Sequence, residues 1–289
     1  MLLVKGKVMK WKLMILPALL LPVLAAAAPK LVENGRSDYA IVLPQSAILP
    51  EETAAKELQS MLKRISGAEL PIVRDETYAG KAILLGRSDR TAQLLGVDFR
   101  ELRPDEILLK QCGDDLVLSG DRPRGTLYAV YEFLEELGVR RWTFRDEEIP
   151  HLATIGLPPR DCRYAPPFEG RDRLGGTNGT YGAWMRVNGH YLNVPESHGG
   201  VIRLIGWCHT FGEMIPPREF AKSHPEYFAE VDGKRGVWDE RNGFPQLCLS
   251  NPEVRRILRE KTLERLRSEK NPRIISVSQN DSWGAMAEN

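Results

Sequence analysis

Cysteine is scarce and scattered in this chain. The four thiols, Cys112, Cys162, Cys208 and Cys248, form no CxxC pair and no other closely spaced ligand set. That excludes a zinc module of the usual spacing, and no metal or cofactor is expected. Isolated buried thiols are the simpler expectation, with pairing after export as the alternative. An excess of positive charge is also missing, since 40 Lys+Arg stand against 39 Asp+Glu. Without Lys5, Lys7, Lys10 and Lys12 the acidic side chains outnumber the basic ones, so no nucleic-acid surface is expected. Gly175-Gly176-Thr177-Asn178-Gly179-Thr180 is glycine-rich but lacks the Lys-Ser/Thr of a phosphate loop, and reads as a flexible connection. No Gly-x-Ser-x-Gly elbow supports serine-hydrolase chemistry.

The long apolar run, Leu13 to Leu24, is short for a membrane span and holds Pro17 and Pro22. Behind its basic lead and before Ala25-Ala26-Ala27-Ala28 it reads as a secretory signal peptide over residues 1–28, with an uncleaved anchor as the alternative. Export to the periplasm or the extracellular space follows, with no stable membrane span after cleavage.

What is present is ordinary globular material, 42% hydrophobic and 27% charged, enough for about two domains. Residues 29–150 alternate between strand-like and helix-like patterns. Tyr39–Leu43, Leu70–Val73, Lys81–Leu85, Glu106–Lys110 and Leu116–Ser119 read as strands, the last two joined in a hairpin at Gly113-Asp114-Asp115. A helix opens at Pro50-Glu51, buries Ala54, Leu58, Met61, Leu62 and Ile65, and stops at Gly67. A second, from Thr126 to Leu137, puts Leu127, Val130, Tyr131 and Leu134 on one face. The pattern predicts an α/β sandwich with its helices on one face of the sheet. Pro150, Pro158, Pro159, Pro166 and Pro167 then mark residues 151–167 as a linker.

The remaining residues, 168–289, carry the clearest functional signal. Gln246-Leu247-Cys248-Leu249 reads as a strand. Asn251, Pro252 and Glu253 open a helix with Val254, Ile257, Leu258 and Leu266 on its apolar face. Ile274-Ile275-Ser276-Val277-Ser278 reads as a second strand. Such a βαβ unit builds a parallel sheet, and ligands bind at the carboxyl ends of its strands. Gln279, Asn280 and Asp281 stand at that end, which points to an enzyme. This second unit has about half of the ~250 residues that a (β/α)8 barrel needs. A truncated barrel is the expectation, with a small open sheet as the alternative.

Two groups of motifs resemble known families. Arg124-Gly125-Thr126-Leu127-Tyr128-Ala129-Val130-Tyr131-Glu132-Phe133-Leu134, with Leu137-Gly138 and Arg141-Trp142, resembles the amino-terminal α/β domain that precedes the barrel in glycoside hydrolases. Family 67 α-glucuronidases and family 20 β-N-acetylhexosaminidases are examples. His209-Thr210-Phe211, His224-Pro225-Glu226-Tyr227-Phe228, Gly233-Lys234-Arg235, Gln246 to Leu249 and Ser276 to Asp281 resemble the bacterial family called domain of unknown function 4838. The resemblance implies the first half of a glycosidase-type (β/α)8 barrel, an oligo- or polysaccharide substrate and no cofactor. In family 20 the fourth strand ends in an Asp–Glu pair. The matching positions here are Asn280 and Asp281, so this chain departs from the pattern at both.

Glycosidic cleavage needs a carboxyl group to protonate the leaving oxygen. Asp281 is the candidate acid, to be kept protonated by apolar surroundings; a loop-capping Asp is the alternative. Asn280 beside it offers hydrogen bonds but no carboxylate. His209 follows the strand-like run Val201 to Cys208 and either bonds a sugar hydroxyl or is a satisfied half-buried histidine. Arg171 and Arg173 are candidate clamps for a uronic acid carboxylate, or structural ion pairs. Gln279 and Trp283 complete the substrate-binding candidates, Trp283 by stacking on a sugar ring, with Trp207, Trp184 and Tyr181 as further aromatic faces. The leading expectation is a glycoside hydrolase acting on terminal sugars, uronic acid or N-acetylhexosamine. A carbohydrate-binding protein without turnover and a structural surface protein are the alternatives.

Overall fold

The computed structural model describes residues 28–75, 77–173, 179–231, 233–236, 244–269 and 273–281. Residues 1–27, most of the segment expected to be a signal peptide, lie outside them, as do Gly175 to Asn178 and Trp283. In the first half the chain runs through β1 (Lys30–Val32), β2 (Ala40–Val42), α1 (Leu49–Ser66), β3 (Ile72–Val73), β4 (Ala82–Leu85) and α2 (Asp89–Leu95). It continues through β5 (Ile107–Cys112), β6 (Asp115–Gly120), α3 (Gly125–Glu136), β7 (Arg140–Arg141), β8 (Glu147–Glu148), β9 (Ile155–Gly156) and β10 (Asp161–Tyr164).

Six of these strands make one sheet in the order β10-β5-β6-β4-β2-β3. β3, β2, β4 and β6 are parallel; β5 and β10 run antiparallel to their neighbours. The expected β5–β6 hairpin is there, turning at Gly113 with φ +64. Side chains alternate as a pleat demands. Ile41, Ile83, Leu109, Leu116 and Leu118 face the core under α1 and α3, while Ala40, Val42, Ala82, Leu84 and Val117 face the other way. That second face is not bare: Leu94 and Leu95 of α2 pack on it. The expectation of helices on one face is therefore corrected. The short α2, capped by Ser88 on the Thr91 N–H and stopped at Gly96, has too few apolar residues to show a stripe.

α1 is held at its start by Glu51, whose carboxylate accepts from the Ile48 N–H at 2.9 Å and from Arg122 Nη2 at 2.9 Å. Its face of Ala54, Leu58, Leu62 and Ile65 is buried as predicted. α3 is buried nearly all round, since Tyr128, Ala129 and Phe133 join Leu127, Val130, Tyr131 and Leu134. A helix apolar on every side needs cover on every side. The sheet supplies one cover; Ala183, Trp184, Leu192 and Val194 from the second half supply the other.

The residues expected to be a linker, 151–167, are part of this architecture. β9 pairs with β1, and β10 forms the sheet's edge beside β5. Pro158, Pro159, Pro166 and Pro167 flank β10 rather than interrupt it, which is how an edge strand tolerates proline.

The second half holds α4 (Gly179–Trp184), β11 (Leu204–Ile205), α5 (Phe211–Met214), α6 (Pro217–Phe220), β12 (Glu230–Val231), β13 (Lys234–Arg235), α7 (Pro252–Ser268) and β14 (Ile274–Ile275). α7 starts as predicted, with Asn251 Oδ1 accepting from the Glu253 N–H. The strand before it is a correction: Leu247 makes one bridge to Phe228, and the parallel partner of β14 is β11. The Gln246 carbonyl accepts from the Ala229 N–H and the Cys248 N–H donates to the Tyr227 carbonyl, so this segment pairs with the chain around Phe228 and not with β14. Of the parallel ring expected here, the described residues contain this one pair. Among them no helix is long and apolar enough to cross a membrane.

Candidate active site

β11 and β14 lie side by side, and the loops that leave their carboxyl ends are stitched together. The Ser276 N–H donates to the Ile205 carbonyl at 2.9 Å, and the Phe211 N–H to the Ser278 carbonyl at 3.0 Å. Thr210, fully buried, donates its hydroxyl to the Ser276 carbonyl and accepts from the Ser278 N–H. His209 Nδ1 lies 3.0 Å from the Gln279 carbonyl. A carbonyl only accepts, so the proton is on Nδ1 and Nε2 is left over. Nε2 lies 4.0 Å from Asp281 Oδ2. His209 has φ +63, a conformation that a non-glycine residue keeps only when its surroundings hold it there.

The predicted residues fare unequally. Asp281 does stand at the carboxyl end of β14 beside His209, but its side chain is 70% exposed, and the described residues form no apolar wall around it. Asn280 is buried, and its amide serves the fold: Oδ1 accepts from the Gly212 N–H at 2.7 Å and Nδ2 donates to the Pro245 carbonyl at 2.9 Å. Gln279 is exposed and contributes its carbonyl to His209. Arg171 is held as a structural ion pair: Nη2 donates to Asp105 at 2.7 Å, Nε to the Arg186 carbonyl and Nη1 to the Phe168 carbonyl. Arg173 is exposed, with Met185 Sδ at 3.9 Å. Trp184 is a core residue under Tyr131, and Tyr181 donates to the Trp142 carbonyl.

Trp207 has a different place. It is 41% exposed and walls a cavity of about 430 Å³, inside the roughly 300–1,000 Å³ range of small-ligand sites. Leu204 of β11 and Ile274 of β14 face into it, followed along the seam by Ser276 and Ser278. Asp172, His190 and Tyr191 close the far side. Tyr191 and Trp207 meet edge to face at 4.3 Å, and His190 lies 5.0 Å from Trp207. His190 Nδ1 is 3.1 Å from Asp172 Oδ2. Gly189 permits this approach, because a Cβ there would come within 2.0 Å of Asp172 Cγ. Desolvation first, then the negative potential of Cys208 and Asp172, pushes the Tyr191 phenol up, so it is a donor at neutral pH. Sequence reasoning missed Asp172, His190 and Tyr191. The only signal for them was Gly189-His190-Tyr191, a small residue before two polar aromatic rings. Among the described residues no group of His, Cys, Asp or Glu could hold a metal ion.

Residues 141–285, half of the chain, match the model for a domain of unknown function, DUF4838. The chain belongs to that family. Residues 31–133 match the glycosyl hydrolase family 67 N-terminus. In this DUF4838 protein the family segment contains every residue lining the cavity and the His209–Asp281 pair, while the family 67-like segment supplies Asp105. An α-glucuronidase A from Aspergillus tubingensis is 27% identical over 106 residues, 36% of this chain and 13% of that protein. A solved structure of a family GH115 4-O-methyl-α-glucuronidase with specificity for decorated arabinogalactans shares the fold at a TM-score of 0.53 and 16% identity. The match covers 82% of this chain and 40% of that one. The chain therefore spans less than half the length of either.

Proposed function

We propose that this DUF4838 protein is an exported glycoside hydrolase that releases a terminal sugar, with uronic acid caps as the first substrates to test. The observation that carries the reading is the aromatic-walled cavity along β11 and β14, with the His209–Asp281 pair in the loops that leave the same two strands. The family 67-like amino-terminal domain and the two α-glucuronidase relatives support the same class. Asp281 donates the proton that the leaving glycosidic oxygen takes as the C–O bond breaks, its electron pair going to that oxygen; water then adds at the anomeric carbon and returns a proton to the Asp281 carboxylate. His209, oriented by the Gln279 carbonyl, keeps Nε2 toward the carboxylate. A bound sugar supplies the desolvation that the exposed Asp281 carboxyl lacks. The lysine-led apolar segment at residues 5–24 supports export.

The full-length protein should release sugar from oligosaccharides capped with glucuronic acid or N-acetylhexosamine. Asp281→Asn should lower kcat/KM by ~10²–10⁴ on substrates with poor leaving groups. Undiminished turnover in that variant removes Asp281 from the mechanism. The 70% exposure of Asp281 favours a second reading, saccharide binding without turnover, which the same panel decides.

A further inference from the structure

We propose that the cavity walled by Tyr191 and Trp207 seats a neutral, hydroxyl-rich sugar ring, and that His190, positioned by Asp172, reads one of its hydroxyls. The inference deepens the glycosidase reading and rests on it for the class of ligand. Three observations carry it. First, Asp172 lies 3.1 Å from His190 Nδ1, which places the proton there and makes Nε2 an acceptor. Second, His190 Nε2 is buried and has no hydrogen-bond partner. A buried acceptor left unpaired costs about 1–3 kcal/mol, so this ring edge suits a ligand that brings a donor. Sugar hydroxyls are such donors.

Third, the wall discriminates by charge. Arg171 borders the cavity, but its Nε, Nη1 and Nη2 donate to Arg186, Phe168 and Asp105. Ser276 and Ser278 hydroxyls bond each other at 2.9 Å. Asp172 itself is acidic. A uronic acid carboxylate would face the His190 acceptor and the Asp172 charge, with hydroxyl donors but no uncommitted cation among the lining residues; a hydroxyl-bearing ring meets an acceptor and two aromatic faces. The uronic acid of a capped substrate is thus placed outside this cavity, and the neutral sugar next to it inside. Trp207, 41% exposed, offers its face to the C–H groups of the ring.

Tryptophan fluorescence and calorimetric titration of the full-length protein with neutral methyl glycosides (glucoside, galactoside, xyloside, N-acetylglucosaminide) and with methyl glucuronide test this. At least one neutral glycoside should bind saturably and tighter than the glucuronide. His190→Phe, which keeps a ring but loses Nε2, should weaken that binding about ten- to a hundredfold. Trp207→Ala, at an exposed position, should weaken it as well and abolish the fluorescence change. Preferred binding of the glucuronide, or unchanged affinity in both variants, overturns the proposal. Turnover separates the two readings. Binding lost in the variants with no hydrolysis by the parent protein retires only the glycosidase; hydrolysis with KM unmoved by both variants retires only this subsite.

Discussion

Tyr128 shows how burial governs a single polar side chain in this molecule. Only 1% of it is exposed. Desolvation first, then the Asp105 carboxylate, pushes its phenol up to about 12, against partial compensation by Arg124 and Arg171. The folded state thus favours the neutral phenol more than the unfolded state does. The stability tied to Tyr128 is complete below pH 10, the unfolded value, and is lost as pH rises toward about 12. The loss should reach ~2–3 kcal/mol. Urea unfolding followed at pH 9 and pH 11.5 should reveal it, and Tyr128→Phe should show a smaller drop between the two. At this scale the sequence was a partial guide. Residue type and strand position put Asp281 and His209 each after a strand-like run, but gave no contact between them. They could not predict Asn280, because its partners, the Gly212 N–H and the Pro245 carbonyl, are backbone groups far away in the chain.

Among the elements, those that bury an apolar face against a core were legible and those held by backbone pairing were not. α1, α3 and the β5–β6 hairpin carry their periodicity openly. β10, Asp161-Cys162-Arg163-Tyr164, has no apolar alternation; its place at the edge is decided by pairing with β5. The seam between the loops after β11 and β14 is likewise a set of backbone and amide bonds with no sequence signature. Asn280 is its far clasp. Asn280→Ala should leave the Gly212 N–H and the Pro245 carbonyl without that partner, a cost of about 1–3 kcal/mol confined to the seam. Hydrogen exchange of peptides covering residues 207–215 and 276–281 should accelerate, while those from β4 and β6 stay protected. Asp281→Asn, altering an exposed side chain, should leave both sets unchanged. Equal exchange in the two variants would show that Asn280 does not clasp the loops.

At the scale of the whole molecule, the two family segments are joined by a buried charge rather than separated by a linker. Asp105, 1% exposed, accepts from Arg124 Nε at 2.8 Å, Arg171 Nη2 at 2.7 Å and Asn188 Nδ2 at 2.7 Å. Arg124 belongs to the family 67-like segment; Arg171 and Asn188 belong to the DUF4838 segment and flank Asp172 and His190. Arg124 also donates to the Gly199 carbonyl. Gly199 has φ +91, and a Cβ there would lie 2.1 Å from Arg124 Cγ, so only glycine suits the position. Nearby, His198 Nε2 lies 3.0 Å from Glu57 of α1, and Trp184 packs on Tyr131 of α3. Asp105→Ala should leave two arginines without their shared carboxylate and cost about 3–5 kcal/mol, the range for breaking a buried ion pair from one side. The joint lies behind the cavity, so the damage should reach it: saccharide affinity should fall in Asp105→Ala although Asp105 touches no ligand. Tryptophan-monitored urea unfolding, read beside far-UV dichroism, should split into two transitions in the variant and remain single in the parent protein. A single, merely shifted transition with intact saccharide binding would mean that the cavity holds its shape without the amino-terminal domain.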